Sequence, residues 1–132
     1  MTENTLTIRE MCDAYDVTPR TLRFYETKEL LAPIRVGQKR LFTKRDRGRL
    51  TLILRGKRFG FSLEEIRQLL DLYDIDDNRY TQITRAIELA RERHAVMLKE
   101  REEMNAAIAE LEEQLATGEK MIDEMGPQRQ AG

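Results

Sequence analysis

The most informative segment of the chain is Val17-Thr18-Pro19-Arg20-Thr21-Leu22-Arg23-Phe24-Tyr25-Glu26. A threonine followed by proline is typical of a helix start, because the hydroxyl accepts from an unpaired first-turn amide and proline lacks an N–H that would go unused there. The segment predicts a helix over residues 19–28. We expect Val17, Leu22 and Phe24 to pack inward and four polar side chains to face outward: Arg20, Thr21, Arg23 and Tyr25.

Three further helix starts are marked by a Ser/Thr-x-x-acid pattern, in which the hydroxyl and the acid cap each other's backbone amides. The pattern occurs at Thr7–Glu10, Thr43–Asp46 and Ser62–Glu65. It predicts helices over residues 8–15, 44–58 and 63–73. A glycine at position 60 suits the left-handed end of the second of these helices.

Residues 31–42 contain too much proline and glycine for a helix. Two extended runs, residues 34–36 and 40–42, flank a turn at Gly37 and predict a small β-hairpin. The hairpin is basic, since it carries Arg35, Lys39 and Arg40. The first two helices are separated only by Asp16-Val17, a spacing shared by helix-turn-helix motifs and ordinary helical hairpins. The apolar and polar faces expected for the second helix favour the helix-turn-helix, and the basic hairpin after it makes the motif a winged helix-turn-helix.

After a short acidic connector at residues 74–78, apolar residues recur with the alternating spacings of a coiled-coil heptad. The seam is expected to hold Ile83, Ile87, His94, Met97, Met104, Ile108, Leu111 and Leu115. Gly118 suits a helix end, so we expect one helix over residues 79–117, a tail helix over 119–125 and fraying from Pro127 onward. A single helix cannot bury so narrow a stripe on itself, and the sequence therefore predicts a homodimer.

Composition restricts the class of protein. Of 132 residues, 36% are charged and 6% aromatic, which favours long polar helices over a β-sandwich or barrel. No apolar run approaches the roughly 20 residues needed to cross a bilayer, so we expect a cytoplasmic protein without a membrane partner. One cysteine, Cys12, and one histidine, His94, argue against a disulfide framework or a zinc cluster. Catalytic carboxylate pairs, nucleophile-base sets and phosphate loops are not recognisable, so no enzyme is predicted.

Charge divides the chain into two halves. Residues 1–60 contain 14 Lys and Arg against 7 Asp and Glu, whereas residues 61–132 contain 9 against 17. A basic half next to an acidic half indicates one end that binds a polyanion. Arginines can bind guanine through two hydrogen bonds, and hydroxyls such as those of Thr18 and Thr21 commonly bind phosphate. The basic half therefore predicts binding to double-stranded DNA.

The predicted fold class is mainly α, with three parts. They are a winged helix-turn-helix DNA-binding domain over residues 1–75, a dimerisation coiled-coil helix over 76–118 and a short C-terminal tail over 119–132. Two other functions stay compatible with the residues. An architectural DNA-binding protein would keep the winged domain but need no ligand. A coiled-coil adaptor would instead use its basic half to bind an acidic protein surface.

Several motifs, in order, resemble the N-terminal signature of MerR-type transcriptional regulators. They are Thr7-Ile8-Arg9-Glu10, Val17–Glu26, Leu30-Leu31, Arg40-Leu41-Phe42 and Gly60–Ile66. The resemblance covers residues 6 to about 73, and the long helix is similar to the antiparallel dimerisation coiled coil of that family. The basic segments 45–47 and 54–58 are similar to those of short members that govern branched-chain amino-acid and fatty-acid catabolism.

The resemblance implies a homodimer that binds an inverted repeat in promoters whose two polymerase-binding elements are too far apart. In that family, a small-molecule effector lets the protein kink and untwist the DNA, so that RNA polymerase engages both elements. The residues at matching DNA-contact positions are Arg20, Arg23 and Tyr25 on the recognition helix, Arg35, Lys39 and Arg40 on the wing, and Lys57 on a second wing.

The chain also departs from the family pattern. Lys39 stands where the wing usually carries an aromatic residue, and the turn at Gly37 is short. The metal-sensing branch has a cysteine near the start of the dimer helix, where this chain has Arg79, and no cysteine follows Cys12. We therefore expect no metal and no cofactor. The multidrug-sensing branch carries a large ligand-binding domain, which the roughly 15 residues after Gly118 are too few to form, so any effector pocket is expected to be small or interfacial.

Overall fold

The computed structural model describes residues 4–73 and 79–131. Its elements follow the chain in the order β1 (Leu6–Thr7), α1 (Ile8–Tyr15), α2 (Pro19–Thr27), β2 (Ile34–Val36), β3 (Lys39–Phe42), α3 (Lys44–Phe59), α4 (Leu63–Tyr73) and α5 (Arg79–Ala131). By its internal contacts the chain divides into two compact units, Met1–Leu89 and Ala90–Gly132. The mainly helical fold and the four short helices are confirmed, and the acidic connector at 74–78 lies outside the described residues.

Side-chain caps fix the helix starts as the sequence predicted. The hydroxyl of Thr7 accepts from the amide of Glu10 at 3.2 Å, and the carboxylate of Glu10 accepts from the amide of Thr7 at 2.9 Å. The same reciprocal pair joins Ser62 and Glu65 at the start of α4. Gly60 ends α3 with φ of 86°, a left-handed conformation that costs glycine little.

A three-stranded sheet forms the wing and attaches it to the domain. The strand order is β1-β3-β2, with antiparallel pairing that sets Arg35 opposite Arg40. The hairpin of β2 and β3 is confirmed, but the sequence did not predict β1, which pairs Leu6 with Phe42. Two residues are too few for a recognisable alternation of apolar side chains, so this strand is defined only by its partner.

The core of the first unit gathers residues from α1, α2, β3, α3 and α4 and from the segment that follows α2. Its fully buried apolar side chains are Met11, Leu22, Leu30, Leu31, Phe42, Leu50, Ile53, Ile66 and Leu70. Gly56 belongs to the same packing, since a Cβ there would lie 2.8 Å from Cγ1 of Ile66. The glycine thus lets α3 and α4 approach closely.

The long helix α5 contradicts one prediction. It continues from Arg79 to Ala131, so the expected end at 117, the separate tail helix at 119–125 and the fraying from Pro127 are wrong. A glycine inside a helix costs only about 1 kcal/mol relative to alanine. Because the apolar spacing resumes at Ile122 and Met125, the helix continues through Gly118.

Candidate nucleic-acid interface

Helix α2 begins with a cap built from two threonines. The hydroxyl oxygen of Thr18 accepts from the amide of Thr21 at 3.1 Å, and the two hydroxyls lie 2.9 Å apart in a mutual hydrogen bond. Pro19 occupies the first turn, as expected. Two hydroxyls carry two protons, and their mutual bond uses one of them, so the other can donate to a phosphate oxygen.

The outer face of α2 differs from the predicted one. Leu22 and Tyr25 are buried, whereas Phe24 is 43% exposed. The expectation that Phe24 packs inward and Tyr25 faces outward is therefore wrong. Residues 22 and 24 are about 200° apart around a helix and cannot both face the core, whereas residues 22 and 25 share one side. The outer face is formed by Arg20, Arg23, Phe24 and Thr27, with Lys28 at its end.

Tyr25 is only 2% exposed, so little of its side chain is available for a DNA contact. Burial raises the pKa of the Tyr25 phenol, which keeps the hydroxyl protonated at neutral pH. The aromatic ring is tilted against that of Phe24, with the centroids 5.8 Å apart. Its main role in this structure is to hold α2 on the core and to support Phe24 from behind.

The wing, formed by β2 and β3, is joined to α2 by one carboxylate. Glu26 accepts from Arg35 Nη2 at 3.0 Å through one oxygen and from Arg40 Nε at 2.5 Å through the other. The carboxylate is 20% exposed, whereas the Arg35 side chain is 53% exposed. The two wing arginines predicted to contact DNA are thus brought next to the recognition helix by an acid that the sequence did not single out.

The charge state of Glu26 depends on these arginines. Burial alone would raise the pKa of the Glu26 carboxyl, but hydrogen bonds from Arg40 and Arg35 and their positive charges outweigh it and lower the pKa. The carboxylate is therefore ionised at neutral pH, and it sets the position of both guanidinium groups before any ligand binds.

Protonating Glu26 is expected to weaken the attachment of the wing. Because the folded-state pKa lies below its ordinary value of 4.5, the ion pairs stabilise the fold above that pH and lose this effect as the pH falls through the folded-state pKa. Wild type should be more stable than Glu26→Gln at neutral pH and equally stable in acid. Urea unfolding at neutral pH and at a series of pH values below 4.5 measures the difference in free energy of unfolding, which should shrink as the pH is lowered. The exposed Glu29→Gln is the matched control, and a difference that persists in acid would contradict the assignment.

Two further arginines bind backbone carbonyl oxygens at the end of α2 and in the segment that follows it. Arg67 of α4 donates to the carbonyl oxygen of Lys28, and Arg49 Nε of α3 donates to the carbonyl oxygen of Leu30 at 2.7 Å. Carbonyls at a helix C-terminus lack partners within the helix and carry partial negative charge, so cations stabilise them. The recognition helix is therefore fixed at its start by threonines and at its end by α3 and α4.

The remaining predicted DNA contacts are exposed cations on separate elements. Lys39 begins β3 at the wing turn, and Lys57 lies in the last turn of α3. Thr27, in contrast, turns its hydroxyl back to the carbonyl oxygen of Arg23 at 2.9 Å, so that hydroxyl is already bonded. The structure brings Arg35 and Arg40 together with α2, while Lys39 and Lys57 are each placed by their own element.

The predicted seam of α5 is exposed in the single chain. Ile83 and Ile87, in the first unit, are 48% and 45% exposed. In the second unit His94 is also exposed, and the apolar seam residues are between 39% and 61% exposed: Met97, Met104, Ile108, Leu111 and Leu115. Leu89, off the seam, is buried within the first unit. The stripe extends past Gly118 to Ile122 and Met125, which are exposed as well.

Cys12 and the acidic residues do not form an evident ligand site. Cys12 packs half-buried beside the core, and burial, followed by the charge of Asp13, raises the pKa of its thiol despite the opposing charge of Arg23. Among the residues that the structure describes, no three His, Cys, Asp or Glu side chains are grouped to hold a metal ion. None of the described helices combines the length and apolarity that crossing a bilayer requires.

Two family models together match nearly the whole chain. Residues 6–72 match the model described as MerR HTH family regulatory protein. The chain belongs to the MerR family of transcriptional regulators. Residues 47–125 match a further model, described as MerR, DNA binding. The family resemblance found in the sequence is thereby confirmed, and the MerR family is a family of DNA-binding regulators, which is not a class of enzymes.

Individual MerR-type proteins are similar over most of the chain. The HTH-type transcriptional regulator ZntR of Escherichia coli K12 is 32% identical over 118 residues, which cover 88% of this chain and 77% of that protein. The structure of HiNmlR, a MerR family regulator lacking the sensor domain, bound to promoter DNA, aligns with a TM-score of 0.66 and 25% identity, covering 92% and 95%. A MerR family regulator from Bacillus cereus aligns with a TM-score of 0.65 and 30% identity, covering 83% and 78%.

Proposed function

We propose that this MerR-type protein binds promoter DNA sequence-specifically as a homodimer and regulates transcription. The observation that carries the proposal is the outer face of α2, where Arg20 and Arg23 are exposed beside a wing held to the same helix by Glu26. The similarity to HiNmlR, whose structure is bound to promoter DNA, supports it. We assign DNA binding to residues 1–75 and dimerisation to α5. As a regulator of promoters, the protein acts in the cytoplasm.

The residues predicted to contact DNA fall into groups with different roles. Arg20 and Arg23 enter the major groove, where an arginine can bind guanine through two hydrogen bonds. The others contact phosphates and set the register: Thr18, Thr21, Arg35, Lys39, Arg40 and Lys57. Tyr25, being almost fully buried, contributes by supporting the helix.

The dimer follows from the exposed seam of α5. A second copy would cover the apolar stripe, and an antiparallel pair, as in the family, carries one winged domain at each end. A twofold-symmetric protein binds an inverted repeat, with one half-site for each recognition helix. The net negative charge of the second half of the chain repels phosphates, which favours DNA contact through the basic first half.

Regulation is proposed to act on the geometry of the DNA. Both half-sites lie between two promoter elements whose separation is too long for RNA polymerase to engage both at once. Distortion of the DNA by the dimer lets RNA polymerase engage both promoter elements. A small-molecule effector would bias that distortion from a small or interfacial site. A structure similar in fold, the regulator PbrR691, was solved in complex with lead(II). With one cysteine at position 12, this chain has no set of thiolates for such a metal within one copy.

Competition between specific and random DNA tests the proposal. Wild type should prefer an inverted repeat selected from genomic fragments, and its affinity should fall steeply with salt as phosphate counterions are released. Equal affinity for scrambled duplex would favour the alternative of an architectural DNA-binding protein. Binding to neither duplex in dilute buffer would refute DNA binding.

Arg23→Ala is expected to lose base discrimination by about 1–3 kcal/mol, because a bidentate guanine contact is removed while the phosphate contacts remain. Fluorescence anisotropy on the selected repeat and on its guanine-substituted variants measures this loss. Arg91→Ala, which removes an exposed arginine from α5, is the control and should keep the wild-type preference. A uniform loss across all duplexes would instead assign Arg23 to phosphate.

A further inference from the structure

Phe24 is an apolar side chain in the middle of a cationic surface. It is 43% exposed on the outer face of α2. Arg20 lies one turn before it, Arg23 adjoins it, and Thr27 and Lys28 lie one turn after it. Residues three and four apart share one side of a helix, so any ligand that these cations bind also covers the phenyl ring.

The surroundings of the ring restrict what can cover it. Lys28 Nζ lies 5.6 Å from the ring centroid, and Tyr25 packs against the ring from the core side. The face of an aromatic ring is electron-rich, so a phosphate oxygen against it is unfavourable. Base edges in the major groove are mostly polar, and the C5-methyl group of thymine is the apolar group exposed there.

We infer that Phe24 contacts the C5-methyl group of a thymine in each half-site and is a specificity-determining residue for A·T pairs. The inference rests on the proposed function, in which α2 enters the major groove. Arg20 lies one helical turn, about 5.4 Å, from Phe24, whereas successive base pairs are about 3.4 Å apart. The thymine therefore lies within about two base pairs of the base that Arg20 contacts.

Single deoxyuridine substitutions test this contact, because deoxyuridine lacks only the methyl group. The probe is the inverted-repeat duplex that wild type selects from a random library, with each thymine of the half-site replaced in turn. At one position, replacing thymine with uracil should weaken wild-type binding about fourfold for each substituted half-site, which is the effect of losing one buried methyl group. Phe24→Ala should bind the thymine and uracil duplexes equally at that position. Both measurements use fluorescence anisotropy.

Two variants control the experiment. Phe24→Leu keeps an apolar side chain and should still discriminate, whereas Val96→Ala, which trims an exposed apolar residue on α5, should keep the full wild-type ratio. Thermal unfolding checks that Phe24→Ala is folded. The inference is overturned if wild type tolerates uracil at every position or if Phe24→Ala keeps the wild-type ratio. Failure of wild type to prefer any duplex would refute the proposed function itself, which is a different result.

Discussion

Replacing Leu111 with aspartate is expected to convert the protein from a dimer into a monomer and to abolish tight operator binding. Leu111 is 60% exposed in the single chain and lies in the middle of the seam of α5. Burying a leucine contributes about 1.5–3 kcal/mol, and a symmetric dimer loses two of them. The dissociation constant of the dimer should therefore rise about 100- to 20,000-fold. Equilibrium sedimentation measures the dissociation, and fluorescence anisotropy measures binding to the inverted repeat.

DNA affinity should fall when dimerisation is lost, because two linked half-site contacts reinforce each other through their effective concentration. The matched control is Ala109→Asp, which adds the same charge to an exposed position of α5 off the seam. That variant should remain dimeric. Circular dichroism should show unchanged helix content for Ala109→Asp, because that variant keeps the packing of α5 in the dimer. A Leu111→Asp protein with the dimer mass would contradict the proposed seam.

Local signals in the sequence were sufficient for most of the fold. The caps at Thr7, Thr43 and Ser62 depend on a hydroxyl and an acid three residues apart, and such contacts are encoded within one helical turn. The acid of the Thr43 cap is the shorter Asp46, and both hydrogen bonds of the capping box form there as well. The Gly37 turn and the Gly60 helix end, each with positive φ, are local in the same way.

The sequence-based predictions are wrong where the identity of one residue and the helical periodicity around it indicate different structures. Phe24 was expected inside because it is apolar, but the helical period places Tyr25, and not Phe24, on the side of Leu22. Gly118 was expected to end α5, although the apolar spacing continued beyond it. In both cases periodicity was the better guide than the identity of a single residue.

The contacts of Glu26 could not be predicted from sequence. Its partners Arg35 and Arg40 lie 9 and 14 residues away on another element, so the ion pairs depend on how the wing folds back on α2. The same holds for Arg67, which reaches the carbonyl oxygen of Lys28 from 39 residues away. Sequence identified the cations of the interface, while tertiary packing decides which of them are held in place.

Asp46→Ala is expected to destabilise the first unit by about 2–4 kcal/mol, because it removes the acceptor of two part-buried amides, those of Ala32 and Thr43. Asp46 is 2% exposed. One carboxylate oxygen accepts from the amide of Ala32 at 3.0 Å, and the other accepts from the amide of Thr43 at 3.0 Å and from its hydroxyl at 3.1 Å. Urea unfolding followed by circular dichroism measures the loss. Asp71→Ala, an exposed acid on α4, should change the free energy of unfolding by less than about 0.5 kcal/mol.

The energetic contributions of the hydrogen bonds of Asp46 can be separated by combining the substitutions at Asp46 and Thr43 in a double variant. Thr43→Ala removes the cap hydroxyl that accepts from the amide of Asp46 at 3.1 Å, and it should cost about 1 kcal/mol. The two residues share their capping bonds, so the double variant should cost less than the sum of the single ones. The part of the Asp46→Ala effect that exceeds the capping bonds then belongs to Ala32, which leads into the wing. A strictly additive double variant would mean that Asp46 stabilises the fold independently of the cap.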